Sequence, residues 1–344
     1  MSTTTATTAT TVRKLTMARA ISEAIAQEME RDPRVLVWGE DVGAYGGIFG
    51  ATQGLLQKFG EDRVIDTPIS ESAFIGAAIG ASAEGLRPVV ELMFVDFFGV
   101  AMDQIYNHLA KNHFMSGGSV RHPVVLMTAI GGGYNDAAQH SQSLYGLFAH
   151  VPGLKIVVPS NAYDAKGLMI RSIREDDPVM YFFHKGLLGL GWMPSDDWAE
   201  VHVPEEPYEI PLGQARVAGD GKNAAVITIG AMVPKVMAAR DRVAQEGISV
   251  EVVDLRTLVP LDRGAVVAAA QKTHRVLVVD EDYRSFGMTG EVAATLAEEA
   301  LDYLEAPIRR LAVPDVPIPY SRVLENMVIP SVDTIADEIR ALVK

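Results

Sequence analysis

The string from Asp66 to Glu71 is the part of the sequence best suited to acid–base chemistry. It reads Asp-Thr-Pro-Ile-Ser-Glu, and Pro68 fixes the entry into a helix that has Glu71 in its first turn. The residues after Glu71 are mostly Ala, Gly, Ile and Phe, so we expect its carboxyl group to face an apolar interior. One interpretation is an acid that caps the helix and interacts with its dipole. The other is a buried proton donor or acceptor whose pKa desolvation moves away from its usual value of about 4.3.

Two further segments carry side chains that could serve a reaction. His140 lies in Ala138-Gln139-His140-Ser141-Gln142, after a glycine loop that follows a predicted strand. Open α/β sheets place ligand-contacting residues there, and a hydrogen-bonded structural histidine is the alternative. The strand near Val89 ends in aromatic residues, among them Phe97. This pattern is consistent with a ring-stacking platform and with an ordinary core strand end.

Several familiar motifs are missing from the sequence. No glycine-rich turn ends in Lys-Ser or Lys-Thr, the glycines from Gly43 to Gly50 are spaced wrongly for a dinucleotide site, and there is no Gly-x-Ser-x-Gly elbow. None of the 8 histidines forms a His-Glu-x-x-His pair. The chain has no cysteine, which excludes thiolate nucleophiles and disulfides.

Length and composition favour a soluble protein of two domains and exclude a disordered scaffold. The chain has 344 residues, of which 48% are hydrophobic, and its formal charge of −14 argues against nucleic acid or an anionic membrane as the main partner. No stretch approaches the ~20 apolar residues of a membrane span. Residues 1–13 are rich in Thr, Ala and Ser and are expected to form a disordered tail. A cytoplasmic location is expected, with a transit peptide as the alternative.

The elements that must position these side chains alternate between strands and helices. Residues 14–190 show the apolar pattern of a parallel sheet covered on both faces, which predicts an α/β fold. The helix after Ser70 is rich in Gly and Ala, with Gly76 and Gly80 four residues apart, and is expected to be buried. Residues 191–212 are interrupted by prolines and acids and predict a linker. A second, smaller α/β domain is predicted over residues 213–344.

At these residues the sequence resembles a known family, the β subunits of the thiamine-diphosphate-dependent decarboxylase or dehydrogenase component of 2-oxo acid dehydrogenase complexes. The resemblance spans roughly residues 14–344 and rests on several separate motifs: Gly39-Glu40-Asp41-Val42, residues 66–71, Met115-Ser116-Gly117-Gly118, residues 138–142, Asp164-Ala165-Lys166-Gly167-Leu168, Asp254-Leu255-Arg256-Thr257, Pro260-Leu261-Asp262 and residues 315–320. It implies a transketolase-like pyrimidine-binding domain followed by a transketolase C-terminal domain. It also implies a heterotetramer of two β and two α subunits.

The resemblance assigns roles to five side chains. Glu71 would hydrogen-bond the aminopyrimidine ring of thiamine diphosphate and promote the tautomer that takes a proton from the thiazolium carbon. Phe97 would pack on the aminopyrimidine, with Met93 one strand repeat away on the same face. His140 would handle protons on the substrate-derived adduct or support acylation of the lipoyl group. Glu40 matches an acid of the polar tunnel that joins paired active sites.

The same resemblance indicates what this chain lacks. Gly219-Asp220-Gly221 opens like the motif that holds Mg²⁺ and the diphosphate, but the required Asn does not follow at the right spacing, so a β-turn is expected there. The Mg²⁺ site is therefore expected on the α subunit. Some relatives bind a monovalent cation, usually potassium, at the loop that matches Ser172, Ile173, Glu175 and Asp177, although Glu175 stands where Asp is common.

The substrate and partners stay open at this level. A 2-oxo acid such as pyruvate, a branched-chain 2-oxo acid and acetoin are all candidates, and residues 91–97 with His184-Lys185 look more like the acetoin-cleaving members. A lipoyl-bearing acyltransferase core is the implied acceptor. The alternatives are half of a split transketolase and a non-catalytic subunit that docks the acyltransferase core.

Overall fold

The computed structural model describes residues 13–190 and 200–344. The predicted tail, residues 1–13, lies outside these ranges except for Arg13, and the predicted linker is described only from residue 200. The strands of the first range are β1 (Lys14–Thr16), β2 (Val35–Gly39), β3 (Val64–Asp66), β4 (Arg87–Phe94), β5 (Val125–Ile130), β6 (Lys155–Val157) and β7 (Val179–His184). Its α-helices are α1 (Met17–Arg31), α2 (Leu55–Phe59), α3 (Glu71–Ala83), α4 (Ala110–Met115), α5 (Tyr145–Ala149) and α6 (Ala162–Arg174).

The second range forms the other domain and part of the connection to it. Its strands are β8 (Glu200–His202), β9 (Arg216–Gly219), β10 (Ala224–Thr228), β11 (Val250–Asp254), β12 (Thr257–Val259), β13 (Val276–Tyr283) and β14 (Arg309–Val313). Its α-helices are α7 (Met232–Ala244), α8 (Arg263–Thr273), α9 (Met288–Glu299), α10 (Arg322–Val328) and α11 (Val332–Val343). Side-chain caps begin several helices, with Asn161 at α6, Asp262 at α8 and a capping box from Ser331 at α11.

Two sheets organise these elements, and the predicted α/β fold is confirmed. The first has the order β12-β6-β7-β5-β4-β2-β3 and is parallel except for β12. The second has the order β14-β13-β10-β11-β9 and is parallel except for β9. The central strands of both sheets are fully buried, because helices cover both faces. None of the helices in the described part of the chain has the length and apolar character needed to cross a membrane.

The sequence did not predict how closely the domains are joined. Strand β12 belongs to the second domain in sequence but pairs with β6 of the first sheet. The chain after residue 200 packs back on the first domain, where β8 pairs with β1 and the ammonium of Lys166 donates to the carbonyl oxygens of Pro204 (2.7 Å) and Glu205 (2.9 Å). Residues 220–223 connect β9 to β10, which lie on either side of β11 instead of pairing with each other, so the β-turn predicted at residues 219–221 does not join a hairpin.

One local prediction near the site, the burial of helix α3, needs correction. Helix α3 is buried along one side only, by Phe74, Ile75, Ala78, Ile79 and Ser82, while Ala73, Ala77 and Gly80 on its other side are exposed. The expectation of a fully buried helix was wrong because small residues can also line an exposed face. Apolar spacing over residues 102–113 predicts a helix, and the chain is helical there: after a 3₁₀ helix at Val95–Ala101, a π-helical stretch (Gln104–Leu109) continues directly into α4.

Candidate active site

The predicted site residues gather at the carboxyl edge of the first sheet. Glu40 follows β2, the loop after β3 leads to Glu71 at the start of α3, Phe97 follows β4, and His140 lies in the loop after β5. Strands β5, β4, β2 and β3 are neighbours and run parallel, so their carboxyl ends meet at one edge. Parallel α/β sheets bind ligands at this edge, and the topology explains why residues 100 positions apart in sequence come together.

Carboxylates dominate one part of the site, which we call the acid side and define as Glu40, Asp41 and Glu71. Burial raises the pKa of Glu40, and the nearby charge of Glu71 raises it further. The Oε1 atom of Glu40 is buried without a hydrogen-bond partner in the described structure. Glu71 is half-buried, beside exposed Ser72 and Ala73, so the expectation that it faces a closed apolar interior is not met within this single chain. The acid side is therefore a charged, partly open surface.

The loop that carries Glu40 is held by the end of strand β3. The carboxylate of Asp66 accepts hydrogen bonds from the backbone N–H groups of Gly43 (2.6 Å) and Ala44 (2.9 Å). A Cβ atom at Gly43 would lie 3.0 Å from the Asp66 Oδ2 atom, which explains why this position needs a glycine. Asp66 therefore has a structural role in the string that predicted Glu71.

Aromatic rings dominate the other part of the site, which we call the histidine side and define as Phe94, Phe97, His140 and Lys185. The imidazole of His140 lies edge-to-face against Phe94 and Phe97, with ring centroids 4.8 Å and 5.5 Å apart. The two phenyl rings are 5.4 Å from each other in the same kind of contact. Phe97 and His140, predicted separately from sequence, are thus direct neighbours.

The argument that placed Met93 beside Phe97 by strand periodicity was wrong. Strand β4 ends at Phe94, and Phe97 belongs to the following 3₁₀ helix, so the alternation of a strand does not extend to it. Both Met93 and Phe97 are half-buried. The helical turn carries the Phe97 ring to His140, and no pattern in the sequence marked that turn.

Sequence reasoning also missed two polar groups of this region. The carboxylate of Asp96 accepts hydrogen bonds from the Gln142 side chain (2.9 Å) and backbone (3.3 Å), while its Oδ2 atom is buried without a partner. Burial raises the pKa of Asp96. Lys185 is fully buried immediately after β7. A buried Lys next to a strand end is a signal that only the three-dimensional structure provides.

The loop predicted to bind a monovalent cation contains groups that already have partners within the chain. The carbonyl oxygens of Ile173 and Glu175 accept hydrogen bonds from the Arg87 guanidinium. The Glu175 carboxylate pairs with Lys155 and Arg171, and the Ser172 hydroxyl donates to the Leu168 carbonyl. Asp177 lies 3.1 Å from the Lys155 ammonium. These contacts give no support for potassium, and its presence stays a prediction.

The side chains at the sheet edge fit one end of thiamine diphosphate. A half-buried carboxyl group at Glu71, an unpartnered buried oxygen at Glu40 and an exposed part of the Phe97 ring suit a flat heterocycle with ring nitrogens. The diphosphate end needs a divalent metal site. Within residues 13–190 and 200–344, no cluster of three or more His, Asp or Glu side chains could hold a metal ion.

Comparison with known protein families matches each of the two domains. The model of the transketolase pyrimidine-binding domain matches residues 13–190, and that of the transketolase C-terminal domain matches residues 213–335. A solved structure described as a split-gene transketolase, an inactive β4 tetramer, has a TM-score of 0.76 and covers 96% of this chain and 98% of its own, at 21% identity. This last likeness concerns the fold alone. Fold and sheet edge together define a two-domain transketolase-like chain.

More similar relatives narrow the class. The β subunit of acetoin:2,6-dichlorophenolindophenol oxidoreductase from Cupriavidus necator is 46% identical, over 96% of this chain and 98% of its own length. The 2-oxoisovalerate dehydrogenase β subunit of Bacillus subtilis is 44% identical over 94% and 97%. The pyruvate dehydrogenase E1 component β subunit of Staphylococcus epidermidis is 42% identical over 95% and 98%. The chain belongs to this family of dehydrogenase-component β subunits, which confirms the resemblance noted from the motifs.

Proposed function

We propose that this chain is the catalytic β subunit of a thiamine-diphosphate-dependent 2-oxo acid or acetoin dehydrogenase component. The proposal rests on one observation: Glu71 and Glu40 lie at the same edge of the sheet as the Phe97–His140 ring cluster, in a chain of this family. The enzyme would cleave the substrate and transfer the acyl group to a lipoyl carrier. It would act as an oxidoreductase only together with its α subunit.

Each side of the site has a separate task in this proposal. Glu71 would hydrogen-bond a ring nitrogen of the cofactor's aminopyrimidine and so favour the protonated ring. Glu40 would supply a second carboxyl group, on the side of the polar tunnel between paired active sites. Phe97 would support the flat face of the pyrimidine, and Met93, half-buried near the end of β4, would also contact the cofactor. When bound, the cofactor supplies carbanion stabilisation. His140, on the opposite side, would donate or accept a proton at the substrate-derived oxygen or at the lipoyl group.

An α subunit is the proposed partner, because the family resemblance places the Mg²⁺ site there and no cluster of His, Asp or Glu within residues 13–190 and 200–344 could hold a metal ion. The proposed Mg²⁺ and diphosphate ligands would come from that subunit, so that the active site lies between two chains. Large apolar side chains are strongly exposed in the single chain, namely Ile69 (84%) and Val100 (61%) close in sequence to the site residues and, beside the amino ends of β6 and β7, Phe114 (88%) with its neighbour Met115 (64%). Surface of this kind is typical of a protein interface. We propose an α₂β₂ heterotetramer that serves a lipoyl-bearing acyltransferase core.

Val100 also bears on the proposed proton tunnel. It occupies a place where some members of the family carry a second tunnel acid, so only Glu40 represents that path in this chain. A cytoplasmic location and a bound potassium ion stay predictions from the sequence.

The deciding experiment reconstitutes the chain with the α subunit from the same source. Dye reduction is measured with pyruvate, with a branched-chain 2-oxo acid and with acetoin, each with and without thiamine diphosphate and Mg²⁺. We expect turnover of one of these substrates that needs both subunits and the cofactor. Full activity of the β chain alone would contradict the proposal, and transfer of a ketol group between sugar phosphates would identify a split transketolase instead. Turnover that is unchanged in a Glu71→Gln complex would favour the assembly-subunit alternative.

A further inference from the structure

Lys185 has a fully buried ammonium group that the proposed chemistry does not use. It is the first residue after β7, and its side chain has no exposed surface. Lysine is almost never buried unless its charge is paired, because removal of an ammonium from water is costly. Here the Nζ atom donates to the Asp136 carboxylate (2.7 Å) and to the backbone carbonyl oxygen of His140.

Both acceptors lie on the loop that carries His140. The ammonium also stands over the rings of Phe94 and Tyr134, 5.4 Å and 5.7 Å from their centroids. Since Phe94 in turn contacts the imidazole of His140, Lys185 restrains this residue in two ways. It fixes the backbone at His140 directly, and it fixes the ring that supports the imidazole.

The beginning of the same loop is held by other groups. The backbone N–H of Gly132 donates to the Glu281 carboxylate (2.8 Å), and those of Gly133 (2.7 Å) and Asn135 (3.1 Å) donate to the carboxylate of Glu325. Both acids are buried and belong to the second domain. The second domain thus anchors the start of the loop, whereas Lys185 bonds to its end, where His140 lies.

We propose that Lys185 is a positioning residue for His140, an inference that rests on the proposed function of His140. Loss of the ammonium would free the backbone at His140 and let the imidazole leave its place between the two phenyl rings. A displacement of about 1 Å can reduce an enzymatic rate roughly 10²-fold. The effect should fall on kcat, because Lys185 does not itself reach the substrate in this proposal.

Lys166 offers a matched control within the same domain. Its side chain is also without exposed surface, and its ammonium pairs with Glu23 (2.6 Å) and with two backbone carbonyl groups. It lies on α6 and contacts the segment after β8, away from the loop of His140. Lys166→Met and Lys185→Met therefore remove the same buried charge from two places, and only one of these places bears on His140.

The test compares both variants in the reconstituted complex. We expect Lys185→Met to lower kcat by about 10- to 100-fold with little change in KM, and Lys166→Met to leave kcat near that of the parent. In a His140→Ala background, Lys185→Met should add no further loss, because it acts through His140. Equal losses in kcat for the two lysine variants, or a full additional loss in the His140→Ala background, would overturn the proposal.

A second readout does not depend on activity. Diethyl pyrocarbonate acylates accessible imidazoles, and mass spectrometry reports the rate at His140 in the complex. Lys185→Met should raise this rate and Lys166→Met should not; an unchanged rate for Lys185→Met would overturn the inference even if activity fell. If His140→Ala proved fully active, the proposed function of His140 would fail, while this rate would still decide whether Lys185 positions it. If Lys185→Met does not fold, Asp136→Ala replaces it, because the Asp136 side chain is 37% exposed and its loss is easier to tolerate. This variant should also raise the rate of acylation at His140, and an unchanged rate would overturn the inference.

Discussion

The two sides of the site differ in how completely this chain holds them. On the histidine side, the imidazole of His140 rests on two rings, and a buried ammonium bonds to its backbone. On the acid side, Glu71 is half-buried, and Glu40 has a buried oxygen without a partner. Buried polar atoms in folded proteins are nearly always hydrogen-bonded. We infer that His140 is held by this chain, whereas Glu40 and Glu71 would be completed by a ligand and a second subunit; the Oδ2 atom of Asp96, close to the histidine side, is likewise buried without a partner in the described structure.

This difference has a consequence for stability and activity. Side chains of the histidine side contribute to the packing of the chain itself, so their removal should lower the stability of the isolated chain. Side chains of the acid side make few contacts within the chain, so their removal should lower the activity of the assembled enzyme and leave the stability of the isolated chain unchanged. Four substitutions, with Glu84→Gln as a control, examine the contrast in order of decreasing expected effect.

The largest effect is expected for Glu71→Gln. The amide cannot exchange a proton with the cofactor ring, so we expect kcat of the reconstituted enzyme to fall by about 10²- to 10⁴-fold, the usual contribution of a general acid–base group. The melting temperature of the isolated chain should not change, because Glu71 is half-buried at a helix start and its carboxylate has no hydrogen-bond or ion-pair partner among the described residues. Steady-state kinetics and thermal unfolding provide the two measurements.

Glu84→Gln is the matched control, at the other end of the same helix. Glu84 follows the last residue of α3 and is exposed, so its substitution should leave both kcat and the melting temperature unchanged. A clear loss of stability in Glu71→Gln would mean that the acid side is held by the chain after all. The proposed contrast between the two sides would then be wrong.

A second pair of substitutions separates packing within the chain from packing against a partner. Phe94 contacts Phe49, Phe97 and His140, so Phe94→Ala should lower the free energy of unfolding of the isolated chain by about 2–3 kcal/mol, somewhat less than for a full core phenylalanine. Phe114 is 88% exposed, so Phe114→Ala should change the same quantity by less than about 0.5 kcal/mol. Denaturant unfolding of the isolated chain measures both.

The opposite order is expected when assembly is measured. Titration of the α subunit should show weaker binding for Phe114→Ala than for Phe94→Ala, because the exposed ring lies on the proposed interface. Unweakened binding by Phe114→Ala would remove this residue from the interface. A stable Phe94→Ala chain would show that the histidine side is not held by its rings.

The sequence predicted the architecture better than it predicted the site. Alternating strands and helices gave the α/β class, since apolar periodicity reflects local burial, and the motif order gave the family. The pairing of β12 with the first sheet was not predicted, because three residues carry too little pattern to identify a partner strand. Phe97 and His140 were each predicted, but their contact depends on a 3₁₀ turn and a glycine loop that periodicity does not describe. Lys185 was noticed only as a family likeness, because burial of a charge is decided by tertiary contacts.

The smallest effect, when it is counted for a single pH unit, concerns Glu91, a fully buried carboxyl group beneath the acid side. It lies opposite Gly39 in the sheet, and a Cβ atom at Gly47 of the overlying loop would be 3.1 Å from its Oε2 atom. Burial raises the pKa of Glu91 to about 8, so the folded chain keeps this group protonated at neutral pH. In the unfolded chain the same group ionises near its usual pKa of about 4.3. Stability should therefore be lost as pH rises between these two values, since the unfolded state has released the proton and the folded state has not.

The Glu91→Gln variant has no carboxyl group at this position, so the loss of stability with rising pH should disappear. Between about pH 5 and pH 8 the free energy of unfolding of the parent chain should fall relative to that of the variant by at most ~1.4 kcal/mol for each pH unit. Denaturant unfolding at several pH values gives the difference, and exposed Glu84→Gln, which leaves the buried carboxyl group in place, should follow the parent. Parallel curves for the parent and Glu91→Gln would mean that the group is already ionised in the folded chain. The carboxylate would then need a buried partner, and the acid side would be more complete within this chain than its unpartnered oxygen atoms indicate.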